Sequence, residues 1–146
     1  MKWQIAAIGK PSLGYAKDGV AEYQKRLRRY ARVSLDFDSK DAGKEGNSQR
    51  LLERSEGSVR LVLDERGEKW TTTEMVKYVE KWQMDGVKRV SLLIGGADGH
   101  TEELRRSADH VIALSGLTLQ HELALVVLLE QIYRVHTVMR GEPYHR

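Results

Sequence analysis

The order of apolar and polar positions alternates between strand and helix periods along the chain. Trp3–Ile8 alternates and then becomes apolar, which predicts a first strand, and Pro11–Gly14 reads as a turn. Val20, Tyr23, Leu27 and Tyr30 fall on one helical face. Arg32–Phe37 alternates again, with Val33, Leu35 and Phe37 apolar, and predicts a second strand. Val59–Leu63, Val90–Ile94 and Val111–Leu114 are short apolar runs that predict three more. Thr71 with Glu74 fits a capping box for a helix to about Gln83, ended by Asp85-Gly86. Glu102–Ser107 reads as a short helix. A long last helix starts near Thr118–Gln120, with Thr118 as its cap, and stops before Gly141. Two stretches read as irregular. Ser39–Asn47 carries glycines and charges and reads as a mobile loop, with Asn47 or Ser48 capping a short helix through Glu53. Asp64–Lys69 reads as a polar turn around Gly67.

Strands alternating with helices predict an α/β fold over residues 1–146: one domain, a mostly parallel sheet, and helices on both faces. The last helix is apolar all round from Leu123 to Leu129, whereas a surface helix needs only one apolar stripe. This predicts a two-fold homodimer with that helix in the interface.

Composition narrows the classes of function. The 146 residues are 40% hydrophobic and 31% charged, enough apolar material for a core. Cysteine is absent, which excludes disulfides, thiolate metal sites and a cysteine nucleophile. The longest apolar run is Leu123–Leu129, far short of a membrane span, and the N-terminal pattern lacks a signal peptide; the expected location is cytoplasmic. Net charge is only +3, but Lys25, Arg26, Arg28, Arg29 and Arg32 crowd one segment, followed by Lys40 and Lys44. Such a segment is either a solvated helix face or a contact for RNA phosphates.

Candidate chemistry concentrates in two small-residue turns. Gly95-Gly96-Ala97-Asp98-Gly99 follows the fourth strand and Ser115-Gly116-Leu117-Thr118 follows the fifth. In open parallel sheets such turns lie at the carboxyl ends of strands, where ligands bind. Together they predict a small-molecule cofactor pocket made largely of backbone amides and carbonyls. The first turn lacks the G-x-G-x-x-G spacing of dinucleotide folds and the Gly-Lys-Ser/Thr ending of a P-loop, and Asp98 would repel a phosphate. No histidine pair has the helical zinc spacing, so no metal is expected, and no G-x-S-x-G elbow supports a hydrolase. The end of the chain, Pro143-Tyr144-His145-Arg146, reads on composition as a frayed tail; docked, it offers groups to stack on a base and touch phosphate.

Four motifs carry a resemblance. Leu92-Leu93-Ile94-Gly95-Gly96, Leu114-Ser115-Gly116-Leu117-Thr118-Leu119-Gln120-His121, Gln131-Ile132-Tyr133-Arg134 and Pro143-Tyr144-His145-Arg146 resemble, in this order, the bacterial ribosomal large-subunit RNA methyltransferase H family. The opening Met1–Gly9 and Glu22-Tyr23 are similar too. The resemblance implies a SPOUT methyltransferase with a C-terminal trefoil knot, a homodimer, and S-adenosylmethionine as cofactor. It also implies methylation of N3 of a pseudouridine in large-subunit (23S) ribosomal RNA, acting on the assembled ribosome. Carried over by position, the cofactor contacts are Leu63, Gly95, Ser115, Gly116, Leu117, Thr118, Leu119 and Gln120, with Gly96 added as a neighbour. Arg134, His121 and His145 become candidates to orient the base or stabilise its anion. Tyr144 and Arg146 would hold the substrate, and Lys25, Arg28 and Arg29 the RNA backbone. The chain departs from the family pattern at Ala97, where proline is common, at Gln120, within a usual Leu-Pro-His, and at Glu142, where Asn or His is usual. The alternatives are a non-catalytic ribosome-binding or assembly factor with the same fold, and a nucleotide-binding α/β enzyme such as a hydrolase.

Overall fold

The computed structural model describes residues 1–146. Five parallel strands form one sheet in the order β2-β1-β4-β3-β5. They are β1 (Lys2–Ile8), β2 (Arg32–Asp38), β3 (Val59–Lys69), β4 (Arg89–Ile94) and β5 (His110–Ala113). The helices between and after them are α1 (Gly14–Leu27), α2 (Gly43–Arg54), α3 (Thr72–Met84), α4 (Glu102–Ser107) and α5 (His121–Met139). β1 and β4 are almost wholly buried, which their near-continuous apolar sequence requires of a strand covered on both faces.

The alternation along β1 decides which core each side chain enters. Trp3, Ile5 and Ala7 join the larger core with Leu27 of α1, Val79 of α3 and Leu128 and Ile132 of α5. Ala6 and Ile8 point the other way, to Leu51 of α2 and Leu104 of α4. Thus α1, α3 and α5 cover one face, and α2 and α4 the other. Crossovers that move one way along the sheet carry α1 and α3, and those that move the opposite way carry α2 and α4, as a constant crossover hand demands.

Three expectations are corrected. Asp64–Lys69 is not a free turn. β3 pairs with β5 as far as Leu63–Ile112, leaves register, and pairs again at Glu68–Ile112 and Lys69–Ala113. Residues 64–67 bulge out between the two pairings. The loop Ser39–Asn47 is shorter than expected, because α2 already starts at Gly43, and Asn47 and Ser48 are buried inside it rather than capping it. The glycines at 43 and 46 hid this helix, since glycine disfavours helix interiors. Thr118 does not cap α5; Gln120 does, accepting from the Leu123 amide at 3.0 Å. The capping box at Thr71 and Glu74 is present as expected.

Within one chain α5 packs against α1, α3 and the sheet, and its remaining face is only partly covered. Leu125, Leu128, Leu129, Ile132 and Val135 are buried, whereas Val126 and Val127 are half-buried and Leu123 is exposed. Its far end holds the fold's one buried imidazole–indole pair. Trp3 Nε1–H donates to Nε2 of His136 at 2.9 Å, so that nitrogen must be unprotonated. Burial first, then Arg140 and the N-terminal ammonium, push His136 down to about 4.

An imidazole held neutral in the fold binds fewer protons than in the unfolded chain. Its contribution is therefore full above pH ~6.5 and is lost as pH falls towards about 4. Urea denaturation across this window should show a loss of about 3 kcal/mol from this group. In His136→Gln, whose amide accepts from Trp3 without titrating, that component of the slope should vanish.

Candidate active site

The carboxyl ends of β3, β4 and β5 open into one cavity of about 640 Å³. Each wall follows from a local feature of the chain. After β4, Gly95–Gly99 turns back sharply: the Gly99 amide donates to the Gly96 carbonyl at 3.1 Å, and Gly99 has φ +77°. After β5, the Ser115 hydroxyl accepts from the Leu117 amide at 2.9 Å and holds a second tight turn. The third wall is the β3 bulge. Asp64, with its side chain nearly buried, accepts from Arg105 of α4 at 3.0 Å and from Arg66 at 3.2 Å. Next to it, Glu65 accepts from the Thr118 hydroxyl at 3.3 Å, joining the bulge to the turn after β5.

Most of the cofactor residues expected from sequence come together here. Leu63, Gly95, Gly96, Ser115, Leu117, Thr118 and Leu119 line the cavity, as does His121. Gly116 and Gln120 do not. Gly116 faces the ammonium of Lys69, and the side-chain carbonyl of Gln120 is occupied by the Leu123 amide and the Tyr15 hydroxyl. His121 donates from Nε2 to the Ile8 carbonyl at 3.0 Å, which ties the start of α5 to the end of β1. Asp64, Glu65 and Asp98 put three carboxylates on the walls, while Ile94, Ile112 and Leu114 supply apolar surface. Arg66 is on the wall too, and Asp64 is paired with it and with Arg105, so the carboxylates left to a ligand are Glu65 and Asp98. With the apolar walls they suit an apolar body carrying an ammonium-like group better than a polyphosphate. No group of side chains in the structure is arranged to hold a metal.

Sequence patterns do not single out His100. It is 3% exposed, lines the cavity, and its Nε2–H donates to the Leu63 carbonyl at 3.0 Å. Burial holds its pKa below the usual imidazole value, against the raising effects of that hydrogen bond and of Asp64. Its ring sits where a Gly95 side chain would be: a Cβ there would lie 2.8 Å from His100 Cε1. Gly95 is thus required by close packing, not by a left-handed φ. The sequence offers one weak sign, a histidine between a glycine turn and the Thr101 cap of α4.

The remaining candidates lie elsewhere. Arg134, Tyr144 and His145 gather at the far end of α5, thirteen residues from His121, or roughly 20 Å at the rise of a helix. The tail is docked, which corrects the frayed reading. Tyr144 packs edge-on against Tyr133 at 4.7 Å and donates to Glu130 at 3.1 Å; Arg134 donates to Glu130 at 2.6 Å and meets His145 Nδ1 at 3.1 Å. Glu142, the departure from the family pattern, accepts from the Tyr30 hydroxyl and anchors the tail's base. Composition could not show this, because the partners are distant in sequence. Lys25, Arg28 and Arg29 are exposed near the same end, where Arg29 lies over the Tyr30 ring at 5.6 Å. Arg146 is exposed.

A parallel α/β sheet with a backbone-rich cavity at its strand ends has the geometry at which doubly wound folds place small-molecule sites. Comparison with known proteins makes the class specific. The family described as "Predicted SPOUT methyltransferase" matches residues 1–145, and the chain belongs to that family. Ribosomal RNA large subunit methyltransferase H of Thermus thermophilus is 47% identical over 146 residues, covering 100% of this chain and 99% of that protein. The protein of the same name from Geobacter sulfurreducens is 41% identical over 152 residues, covering 99% of each. Among solved structures, a tRNA (m1G37) methyltransferase from Aquifex aeolicus aligns with a TM-score of 0.59 at 14% identity, over 100% of this chain and 75% of that one. A probable methylase family protein from Haemophilus influenzae aligns with a TM-score of 0.61 at 11% identity, over 99% of this chain and 70% of the other. These structures share the fold.

The contact between Gly95 and His100 can be tested in isolation. Gly95→Ala should cost about 1–3 kcal/mol in urea unfolding, because the ring must leave its place against Leu63. In a His100→Ala background the same substitution should cost less than about 0.5 kcal/mol, since coupled neighbours are not additive.

Proposed function

We propose that this chain transfers a methyl group from S-adenosylmethionine to N3 of a pseudouridine in large-subunit ribosomal RNA, on the assembled ribosome, as a cytoplasmic homodimer. One observation carries the reading. The turns picked out by the family motifs form a single cavity, in a chain that aligns from end to end with proteins named ribosomal RNA methyltransferases.

The cavity fits the cofactor. Its apolar walls suit an adenosine, its bare turns offer backbone groups, and Glu65 and Asp98 favour a ligand carrying a cationic group. When bound, S-adenosylmethionine supplies an activated methyl group. The chain's own task is to hold the acceptor nitrogen in line with it, and positioning of this kind contributes several kcal/mol. Leu63, Gly95, Gly96 and, from the turn after β5, Ser115, Leu117, Thr118 and Leu119 would hold the cofactor. Gly116 and Gln120 would shape that turn from outside it.

Arg134, His145 and Tyr144 serve the same reaction only from a second subunit. In their own chain they stand at the opposite end of α5 from the cavity. A partner's tail brought to the cavity mouth would supply a cation to stabilise the base as its N3 proton leaves, with His121 and His145 at hand for the proton. Apolar surface suited to such a partner surrounds the start of α5. Leu13, Tyr15, Leu117 and Leu123 are exposed there, and the Ser12–Leu13 amides and the Tyr15 hydroxyl bond to Glu122 and Gln120. The trefoil knot belongs to the same reading; the α4 connection crosses β3 between β4 and β5, and α5 then packs on the opposite face, a path that a knot would share. Lys25, Arg28 and Arg29, with Arg146, would meet RNA phosphates.

Calorimetric titration should show saturable binding of S-adenosylmethionine and none of a nucleoside triphosphate. A folded protein that binds neither would overturn the assignment. With cofactor and ribosomes, His145→Ala should lower methyl transfer by roughly 100-fold while leaving cofactor affinity as it is. Charge reversal at Lys25, Arg28 and Arg29 should weaken ribosome binding and flatten its dependence on salt.

A further inference from the structure

Beside the main cavity lies a smaller one of about 250 Å³, at the carboxyl ends of β1 and β2. It is lined by Ile8, Gly9, Ser39 and Asp41, and it shares Gly96, Ala97 and His121 with the main cavity. The wall between the two is thin and made largely of backbone. A Cβ on Gly96 would lie 3.1 Å from Asn47 Nδ2 and 3.5 Å from Asp41 Oδ2.

Asp41 is held here with unusual care for an exposed carboxylate. Its Oδ1 accepts from the Gly43 amide at 2.9 Å and from Asn47 Nδ2 at 2.8 Å. Asn47 is 2% exposed, and its Oδ1 in turn accepts from the Ala42 amide at 2.8 Å. A buried amide is thus committed wholly to residues 41 and 42. Starting α2 needs only one carboxylate oxygen. The other, Oδ2, faces the wall shared with the main cavity. The bonds from Asn47 and Gly43 also lower the Asp41 pKa, so the group is an acceptor only.

We propose that the target base sits at this junction, with N3 towards the main cavity, and that Asp41 Oδ2 accepts the base's second ring N–H. This rests on the methyl-transfer reading above and names the residue that sets its specificity. Pseudouridine is joined to its sugar through carbon, so both ring nitrogens carry hydrogen and flank one carbonyl. Uridine spends one of those nitrogens on the sugar. A base that presents N3 to one cavity directs its other ring N–H away from it, across that carbonyl, towards the second cavity. A fixed carboxylate at that position accepts from pseudouridine and finds only a C–H on a uridine held the same way.

The test compares wild type with Asp41→Asn on ribosomes bearing pseudouridine or uridine at the target position. Asparagine keeps Oδ1 for Gly43 and Asn47 and replaces only the free oxygen. The wild-type preference for pseudouridine should fall by about 10–100-fold in Asp41→Asn, through a loss on pseudouridine alone, with calorimetric cofactor affinity unchanged. An undiminished preference in the variant, or a wild type indifferent to the two bases, overturns the assignment. Absence of transfer to either base by cofactor-bound wild type would instead strike at the methyltransferase reading. A second measurement does not depend on catalysis. Amide NMR shifts at Gly9, Gly96 and Ala97 of wild type, saturated with S-adenosylhomocysteine, should titrate with pseudouridine at lower concentration than with uridine; equal titrations overturn the proposal.

Discussion

The site depends on one close approach between two backbones. Gly67 lies on the Val111–Ile112 peptide so tightly that a Cβ would stand 2.6 Å from the Val111 carbonyl. That contact lets β3 pair with β5, leave register, and pair again. The residues between the two pairings have nowhere to go but outward, and they become a cavity wall. Asp64 and Glu65 reach Arg105 and the Thr118 hydroxyl from that bulge, so a local irregularity in one strand fixes the distance between α4 and the turn before α5. A larger residue at 67 would force the paired strands apart, and the cavity would lose its third side.

The same economy explains why so few side chains define the site. His100 links the β4 turn to the end of β3 through the Leu63 carbonyl and leaves no room for a side chain at Gly95. Asn47 and Asp41 press against Gly96 from the other side. The two glycines are bare because each is packed against a polar group that positions a neighbouring strand end. A ligand in the cavity would there meet backbone atoms that cannot change rotamer, the basis of a preorganised site.

Legibility in the sequence follows the range of the interactions. Strong local patterns can be read directly: the apolar runs of β1, β4 and β5, the Thr71–Glu74 box, and the two glycine turns at strand ends. Features fixed by distant partners cannot. Residues 64–69 carry the composition of a polar turn, and only the approach of Gly67 to β5 makes them strand and bulge. Gly43 and Gly46 spell loop, yet α2 runs through Gly46 because Leu51 is buried against the sheet. Thr118 has the better composition for a cap of α5, but its hydroxyl is turned to Glu65 and Gln120 takes the role. His100 has no periodic or motif signature, since its importance lies in what it touches. The tail reads as frayed because Tyr30, Glu130 and Tyr133, which dock it, are not its neighbours in sequence.

The position of that tail also argues about assembly. Glu130, Arg134, Tyr144 and His145 form a connected polar and aromatic cluster whose ordering is costly for a chain end. Nothing in the cavity of the same chain profits from it, because thirteen residues of α5 separate Arg134 from His121 at the cavity. The basic end of α1 lies beside the cluster, with Arg26 over both Tyr23 and Tyr133. An RNA bound across that surface would be remote from its own subunit's cofactor cavity and accessible to another's. In the proposed two-fold dimer, pairing that sets the exposed apolar residues at the start of one α5 beside the tail of the other would resolve the mismatch, since any contact made once is then made twice. The separation of the tail cluster from the cavity along one helix thus supports the proposed dimer independently of the apolar composition of that helix.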